Sequence, residues 1–194
     1  MRIVVQRVRR ASVVVGGEVA GRIGQGLLLL VGVETGDGRE QAERAAARFA
    51  TLRVFEDEQG HMNRGLDEVG GEILVVSQFT LAGSIRRGRR PDFIGAARPE
   101  DAEPIVDALV AALRAHGVKV ATGVFRAEMQ VELVNDGPVT FVWEDGAVPG
   151  TACRPYGMIP GLGPVEAAAG AWCRGRPGRG AVGRRRLGGG GRWR

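Results

Sequence analysis

The chain has little of what commonly carries protein chemistry. It holds two cysteines in 194 residues, Cys153 and Cys173, and both fall after residue 145. No disulfide can staple the part before them, which fits a reducing compartment. In the last segment the two could pair or bind a metal, yet their spacing matches no usual ligand set. Histidine is equally scarce, with only His61 and His116. His61 sits in a polar loop, and His116 sits at a predicted helix end, where the dipole favours a surface histidine. A Ser/His/Asp triad therefore has no good imidazole. No group of His, Cys and carboxylates has metal-ligand spacing, and no glycine-rich loop follows a strand to cradle phosphates. Redox and phosphoryl-transfer chemistry have no foothold, and no cofactor is expected. The longest apolar run, Leu27 to Val33, is far too short to cross a bilayer. The first residues are charged and lack a leader-like apolar stretch. The expectation is a soluble cytoplasmic protein with no membrane partner.

The formal charge of +5 suggests a nucleic-acid protein, but the average hides an asymmetry. Residues 146–194 carry nine arginines and one acidic residue, leaving 18 basic and 21 acidic residues before them. The same segment holds 14 Gly and 5 Pro, including the run Gly188 to Gly191. Such a composition buries too little apolar area to offset its ordering entropy. It reads as a low-complexity, disordered Gly/Pro/Arg-rich tail behind a single domain spanning 1–145. Its arginines could touch RNA nonspecifically, or be merely solubilising.

Within 1–145 the period of apolar residues alternates between two and 3.6. Ile3 to Val8, Ser12 to Val15 and Glu18 to Ile23 read as strands, with Gly16-Gly17 suited to a hairpin turn. Leu27 to Val33 is continuously apolar, the mark of a strand covered on both faces. Ala42, Ala45, Ala46, Phe49 and Leu52 recur at helical steps and predict a helix over 39–50. A short strand is predicted at 52–55, a clearer one at 72–81, and an Arg-rich loop over 84–98. A second helix is predicted over 99–116, with Pro104 in its early part and Gly117 as cap. Strands over 118–125, 128–134 and 139–144 complete the order. That sequence of elements argues for an α/β fold, mixed β-sheets layered with two covering helices.

Two segments stand out chemically. Ser77-Gln78-Phe79-Thr80-Leu81 closes a strand with hydroxyls, an amide and free backbone groups. Two N–H groups aimed at one spot there would stabilise an oxyanion. Ser and Thr at a strand end also satisfy local backbone groups, and both readings stand. Asn135-Asp136-Gly137-Pro138-Val139-Thr140 places a glycine before a proline between strands. An ordinary turn explains it. A cis bond, found at about one X–Pro in twenty, would instead set two adjacent carbonyls side by side. Such a pair would receive an ammonium and block a side chain on the wrong face of an α-carbon.

Together these two segments resemble the signature motifs of bacterial D-aminoacyl-tRNA deacylases. Gln6-Arg7-Val8, Met62-Asn63, Gly88-Arg89-Arg90-Pro91-Asp92-Phe93, Met129-Gln130-Val131 and Phe141 extend the resemblance across 1–145. It departs from the pattern at His61, at Gly83-Ser84 and in the tail, none of which touches the two motifs. The resemblance implies a cytoplasmic homodimer with active sites at the subunit interface, hydrolysing the ester that joins a D-amino acid, or glycine, to the 3′ end of tRNA. It implies that Ser77, Gln78, Phe79 and Thr80 line the scissile ester. It further implies that Gly137 and Pro138 screen chirality from the neighbouring copy, with Arg7 orienting their carbonyls and Met129 and Asn135 as further substrate-binding residues of that filter. Arg86, Arg87, Arg89 and Arg90 would hold phosphates near the acceptor end, or form a plain solvated turn. An aminoacyl ester is already activated, so water can attack directly, aided by the vicinal 2′-hydroxyl. A covalent Thr80 nucleophile would need an adjacent base, and none is evident. A noncatalytic RNA-binding module and a general esterase remain as the other classes.

Overall fold

The computed structural model describes residues 1–86 and 88–145. Its spine is β1 (Arg2–Val15), a single fourteen-residue strand where the sequence predicts two. Burial alternates strictly from Arg2 to Gln6, then Arg7 and Val8 are both buried and Arg9 and Arg10 both exposed. The pairing with β8 (Gln130–Glu144) shifts register at the same place. A bulge thus swaps the face that β1 presents while keeping the strand intact. The exposed Arg9-Arg10 pair is what made the sequence look interrupted.

β3 (Gly26–Gly32) pairs antiparallel with the first half of β1, and β2 (Glu18–Ile23) with its second half. β6 (Glu72–Ser77) then joins β3 in parallel, and β7 (Lys119–Thr122) joins β6 in parallel. Parallel neighbours need long crossovers. These are supplied by α1 (Arg39–Ala50) and α2 (Pro99–Ala115), which pack together on one face of the sheet. The main core lies there, with Ile3, Val5, Leu27, Leu29, Ile73 and Val75 beneath Phe49, Leu109 and Leu113. A second core of Val8, Ala11, Val13, Ile23, Leu28, Leu74 and Val76 fills the other face, inside the curl of the sheet. Both faces of β3 and β6 are therefore dry, which explains their unbroken apolar runs. The curl nearly closes because Gly21 has no side chain: a Cβ there would strike the Thr122 carbonyl. β4 (Phe55–Glu56) and β5 (Met62–Arg64) make a small separate hairpin. In it the Asp57 carboxylate accepts from Asn63 Nδ2 at 2.6 Å and from the N–H groups of His61 and Gln59 at 2.9 Å. These bonds, the Asn63 one foremost, hold the Asp57 carboxyl below its ordinary range.

Both helices fall where the sequence places them. α1 buries Ala42, Ala45, Ala46 and Phe49. Gly117, at φ 81°, ends α2, with Gly117 N–H bonding Arg114 O at 2.9 Å and Val118 N–H bonding Leu113 O at 3.2 Å. Pro104 lies a full turn inside α2, so the Glu100 carbonyl loses its intrahelical donor. The other differences concern strand ends. The strand predicted over 72–81 stops at Ser77 and gives way to a 3₁₀ turn, Phe79–Ala82. The strand predicted over 52–55 shrinks to Phe55–Glu56, and that over 118–125 to Lys119–Thr122. The last two predicted strands fuse into β8. No helix among the described residues is long and apolar enough to cross a membrane.

Candidate functional site

Parallel strands β3, β6 and β7 all end at the same edge, and ligand crevices in such sheets open beyond the carboxyl ends of the strands. A cavity of about 580 Å³ lies there. Val31 near the end of β3 and Val33 just beyond it reach into it, Val76 and Ser77 end β6 in it, and Gln78 and Phe79 continue along its wall. Ala97, Pro99, Ala102 and Val106, from the start of α2, close one side. Phe125, Arg126, Ala127 and Met129, from the connection between β7 and β8, close another. Arg126 adopts φ 60°, a left-handed conformation uncommon for a residue with a side chain, in the turn that presents this wall. Of the predicted residues, Ser77, Gln78, Phe79 and Met129 meet in this cavity. Thr80 does not line it; its hydroxyl accepts from Gln78 Nε2 at 2.5 Å instead.

The backbone at the cavity wall is set by where β6 ends. Gln78 N–H makes a last bond to Val31 O at 2.7 Å, and the chain then turns, with Leu81 N–H returning to Gln78 O at 3.1 Å. The first N–H groups of such a turn have no internal acceptor. Those of Phe79 and Thr80 find none among the described residues. The lining offers no carboxylate, imidazole, thiol or amine, and its one ionic side chain is Arg126. Both histidines lie outside it. The arrangement can bind a small, mostly apolar group, and the Phe79 N–H at its wall has no acceptor among the described residues. Among the described residues it holds no side chain suited to abstract a proton.

The second motif sits elsewhere. The Gly137–Pro138 peptide bond is cis. It lies in a bulge of β8, because Gln6 faces Thr140 while Val8 faces Asn135. Arg7 anchors this bulge. Its side chain is buried, with Nε donating to the Asp136 carbonyl at 2.8 Å and Nη1 to the Val54 carbonyl at 2.5 Å. Ion pairs with Asp136 at 3.2 Å and Glu56 at 3.3 Å complete its surroundings. Arg7 thus grips the carbonyl one residue before the Gly137 and Pro138 carbonyls that the resemblance assigns to it. Asn135 accepts from Gln6 Nε2 at 3.2 Å, and its amide lies against bare Gly137. Gly137 and Pro138 are exposed.

Register separates the two motifs within one copy. Ser77 is level with Val31 and hence with Ile3, whereas the dipeptide is level with Arg7. That is four residues, about 13 Å, along the strands, and three strands across. Neither Gly137, Pro138, Asn135 nor Arg7 lines the cavity.

Near the cavity mouth a loop is closed by two backbone bonds between Ser84 and Asp92, 2.7 and 2.9 Å long. It carries Arg86, Arg89 and Arg90, all exposed; Arg87 lies outside the described residues.

Residues 4–144 match the family model for D-Tyr-tRNA(Tyr) deacylase. The chain is 59% identical over 147 residues to a D-aminoacyl-tRNA deacylase of Thermomicrobium roseum, covering 76% of this chain and 95% of that one. It is 60% identical over 142 residues to a D-aminoacyl-tRNA deacylase of Chloroflexus aurantiacus, covering 73% and 89%. Among solved structures it resembles the c-Myc DNA Unwinding Element Binding Protein, with 42% identity and a TM-score of 0.70 over 76% of this chain and all of the other.

Proposed function

The chain belongs to the D-aminoacyl-tRNA deacylase family of hydrolases, and from that we propose that it hydrolyses the ester joining a D-amino acid, or glycine, to the 3′-terminal ribose of tRNA. The observation that carries this reading is a cavity whose lining, among the described residues, offers no carboxylate, imidazole, thiol or amine, bordered by the Phe79 and Thr80 N–H groups that have no acceptor among those residues. An aminoacyl ester needs only that much help. Phe79 and Thr80 N–H hold the developing oxyanion, and the vicinal 2′-hydroxyl of the substrate orients the attacking water. Ser77 and Gln78 line the ester. No cofactor takes part.

Chirality is screened in trans. The Gly137 and Pro138 carbonyls of a second copy enter the cavity and meet any side chain on the L face, while glycine passes. The exposure of this dipeptide and its distance from its own cavity support that arrangement. So does β8, whose outer edge is unpaired among the described residues and whose Leu133, Phe141 and Val142 are exposed. The working unit is accordingly a homodimer, placed in the cytoplasm. Arg86, Arg89 and Arg90, with Arg87, hold phosphates near the acceptor end. Residues 1–145 form the catalytic domain, and 146–194 are dispensable to it.

The test is incubation with D- and L-aminoacyl-tRNA, using the full chain and one ending at residue 145. Both should release D-amino acids and spare the L-esters. Equal cleavage of L- and D-esters refutes the chiral screen. Loss of RNA affinity on shortening, with no ester cleaved by either chain, returns the protein to the RNA-binding class. Thr80→Val should retain more than a tenth of wild-type turnover. A deeper loss accompanied by a trapped acyl-threonine would establish Thr80 as a covalent nucleophile instead.

A further inference from the structure

Phe79 and Phe93 form a tilted pair with ring centroids 5.1 Å apart. Both keep large areas in water, with Phe79 61% and Phe93 38% exposed. Two exposed rings packed on each other beside charged groups form a contiguous apolar patch with a polar rim, the pattern of a contact surface. This one is built rigidly. The Ser84–Asp92 bonds fix the residue before Phe93, and the Phe93 carbonyl accepts from Ala96 N–H at 3.0 Å. The Phe93 ring lies directly on Gly83, where a Cβ would stand 2.8 Å from Cε1 and 2.9 Å from Cδ1. Any residue larger than glycine there would push the ring away. Phe79 is also part of the cavity wall, so the pair carries the cavity outward onto the surface. It leads to the loop closed at Ser84 and Asp92. The exposed guanidinium groups of Arg86, Arg89 and Arg90 on that loop have no carboxylate partner among the described residues.

Stacking aromatics beside unpaired cations suit single-stranded nucleic acid, whose bases have free faces and whose phosphates need counter-charge. Resting on the reading of the substrate as aminoacyl-tRNA, we propose that the Phe79–Phe93 pair is a stacking platform for the nucleobase immediately 5′ of the terminal nucleotide. The terminal nucleotide and its ester occupy the cavity. The next base rests on Phe93, and the phosphates beyond it meet the arginine loop. Stacking does not discriminate among bases, so the platform accepts any tRNA and adds affinity without choosing sequence.

The experiment compares Phe93→Ala, Phe93→Leu and Phe93→Trp with wild type on two substrates, D-aminoacyl-tRNA and the minimal ester D-aminoacyl-adenosine. Phe93→Ala should lower kcat/KM on the tRNA roughly tenfold, the lower end of what one base–aromatic stack contributes. The loss should appear in KM, with at least a fivefold smaller loss on the minimal ester. Phe93→Leu keeps the apolar contact on Gly83 but removes the ring face, and should behave like Phe93→Ala. Phe93→Trp should restore the tRNA value. Equal losses on both substrates, or none on the tRNA, overturn the platform. A change in sedimentation that tracks the activity loss also overturns it and assigns the pair to a contact between copies. Wild-type protein that cleaves neither substrate overturns the reading of the substrate; one that cleaves both with no difference between variants overturns the platform alone.

Discussion

Arg7→Ala is expected to lower the free energy of unfolding by about 3–5 kcal/mol, the usual cost of stripping one partner from a buried charged network. The guanidinium is enclosed and each nitrogen has its own acceptor: Nε the Asp136 carbonyl, Nη1 the Val54 carbonyl and Nη2 the Glu56 carboxylate. The Glu56 side chain is 57% exposed and re-solvates when Arg7 goes, so it adds little. Asp136 keeps an ion pair with the exposed Arg9 at 3.1 Å. The loss is therefore dominated by the two carbonyls, each costing about 1–3 kcal/mol if left without a donor. Arg7→Lys should recover only part of it, because one ammonium cannot serve acceptors in three directions. Denaturant titration should show a lower midpoint with an unchanged slope. A loss under about 1 kcal/mol would mean that water replaces the guanidinium, contrary to its enclosure. The Asp136 carbonyl also fixes the start of the Gly137–Pro138 bulge. Deacylation by Arg7→Lys should accordingly fall further than its folded fraction.

Gly26→Ala is expected to be more damaging still. A Cβ at Gly26 would strike the Glu72 carbonyl oxygen and stand 2.8 Å from both the carbonyl carbon and the amide nitrogen of Glu72. These are backbone atoms, so no side chain can swing aside. Gly26 opens the parallel pairing of β3 with β6, and Glu72 N–H is held by Gln25 O at 3.1 Å, which leaves little room to slide. The expected cost is about 4 kcal/mol or more, in the range reserved for severe lesions. Domains of this size are stable by only about 5–15 kcal/mol. Insoluble protein, or a Tm lowered by roughly 10–15 °C, is the predicted result. Gly24→Ala is the matched control two residues away. A Cβ there meets nothing within 4 Å, and the change should stay within about 0.5 kcal/mol. If the two variants melted together, the close approach of β3 to β6 would be wrong.

Local patterns carry the parts of this fold that are locally determined. The run Leu27 to Val33 shows a strand dry on both faces, and the stripe through Ala42 and Phe49 shows α1 and its buried side. Gly117 marks the end of α2 because its positive φ is a local requirement. What failed depended on distant partners. Phe79-Thr80-Leu81 has strand-like composition, but the chain turns there and packs over Gly32, where a Cβ would lie 2.8 Å from Leu81 Cβ. Pro138 reads as a strand break, yet β8 is an edge strand and its bulge tolerates a residue without a donor. The cavity was half legible. Ser77, Gln78 and Phe79 announce themselves as polar groups and bare backbone after an apolar strand. Val31, Pro99, Phe125 and Arg126 carry no such mark, because only the parallel alignment of β3, β6 and β7 brings them to one edge. Four residues of chain separation in register, invisible in any local window, divide the two motifs within one copy.

The pairing of β1 with β8 joins the first strand to the last, with Arg2 opposite Glu144. On a ribosome adding about 5–20 residues per second, β1 is made roughly 7–28 s before the end of its partner. Throughout that interval an apolar strand has one edge unmatched, and contacts so far apart in sequence form slowly even when the partner arrives. Protection of the nascent segment, by chaperones or by early pairing with β2 and β3, therefore bears on this protein's yield alongside its final stability.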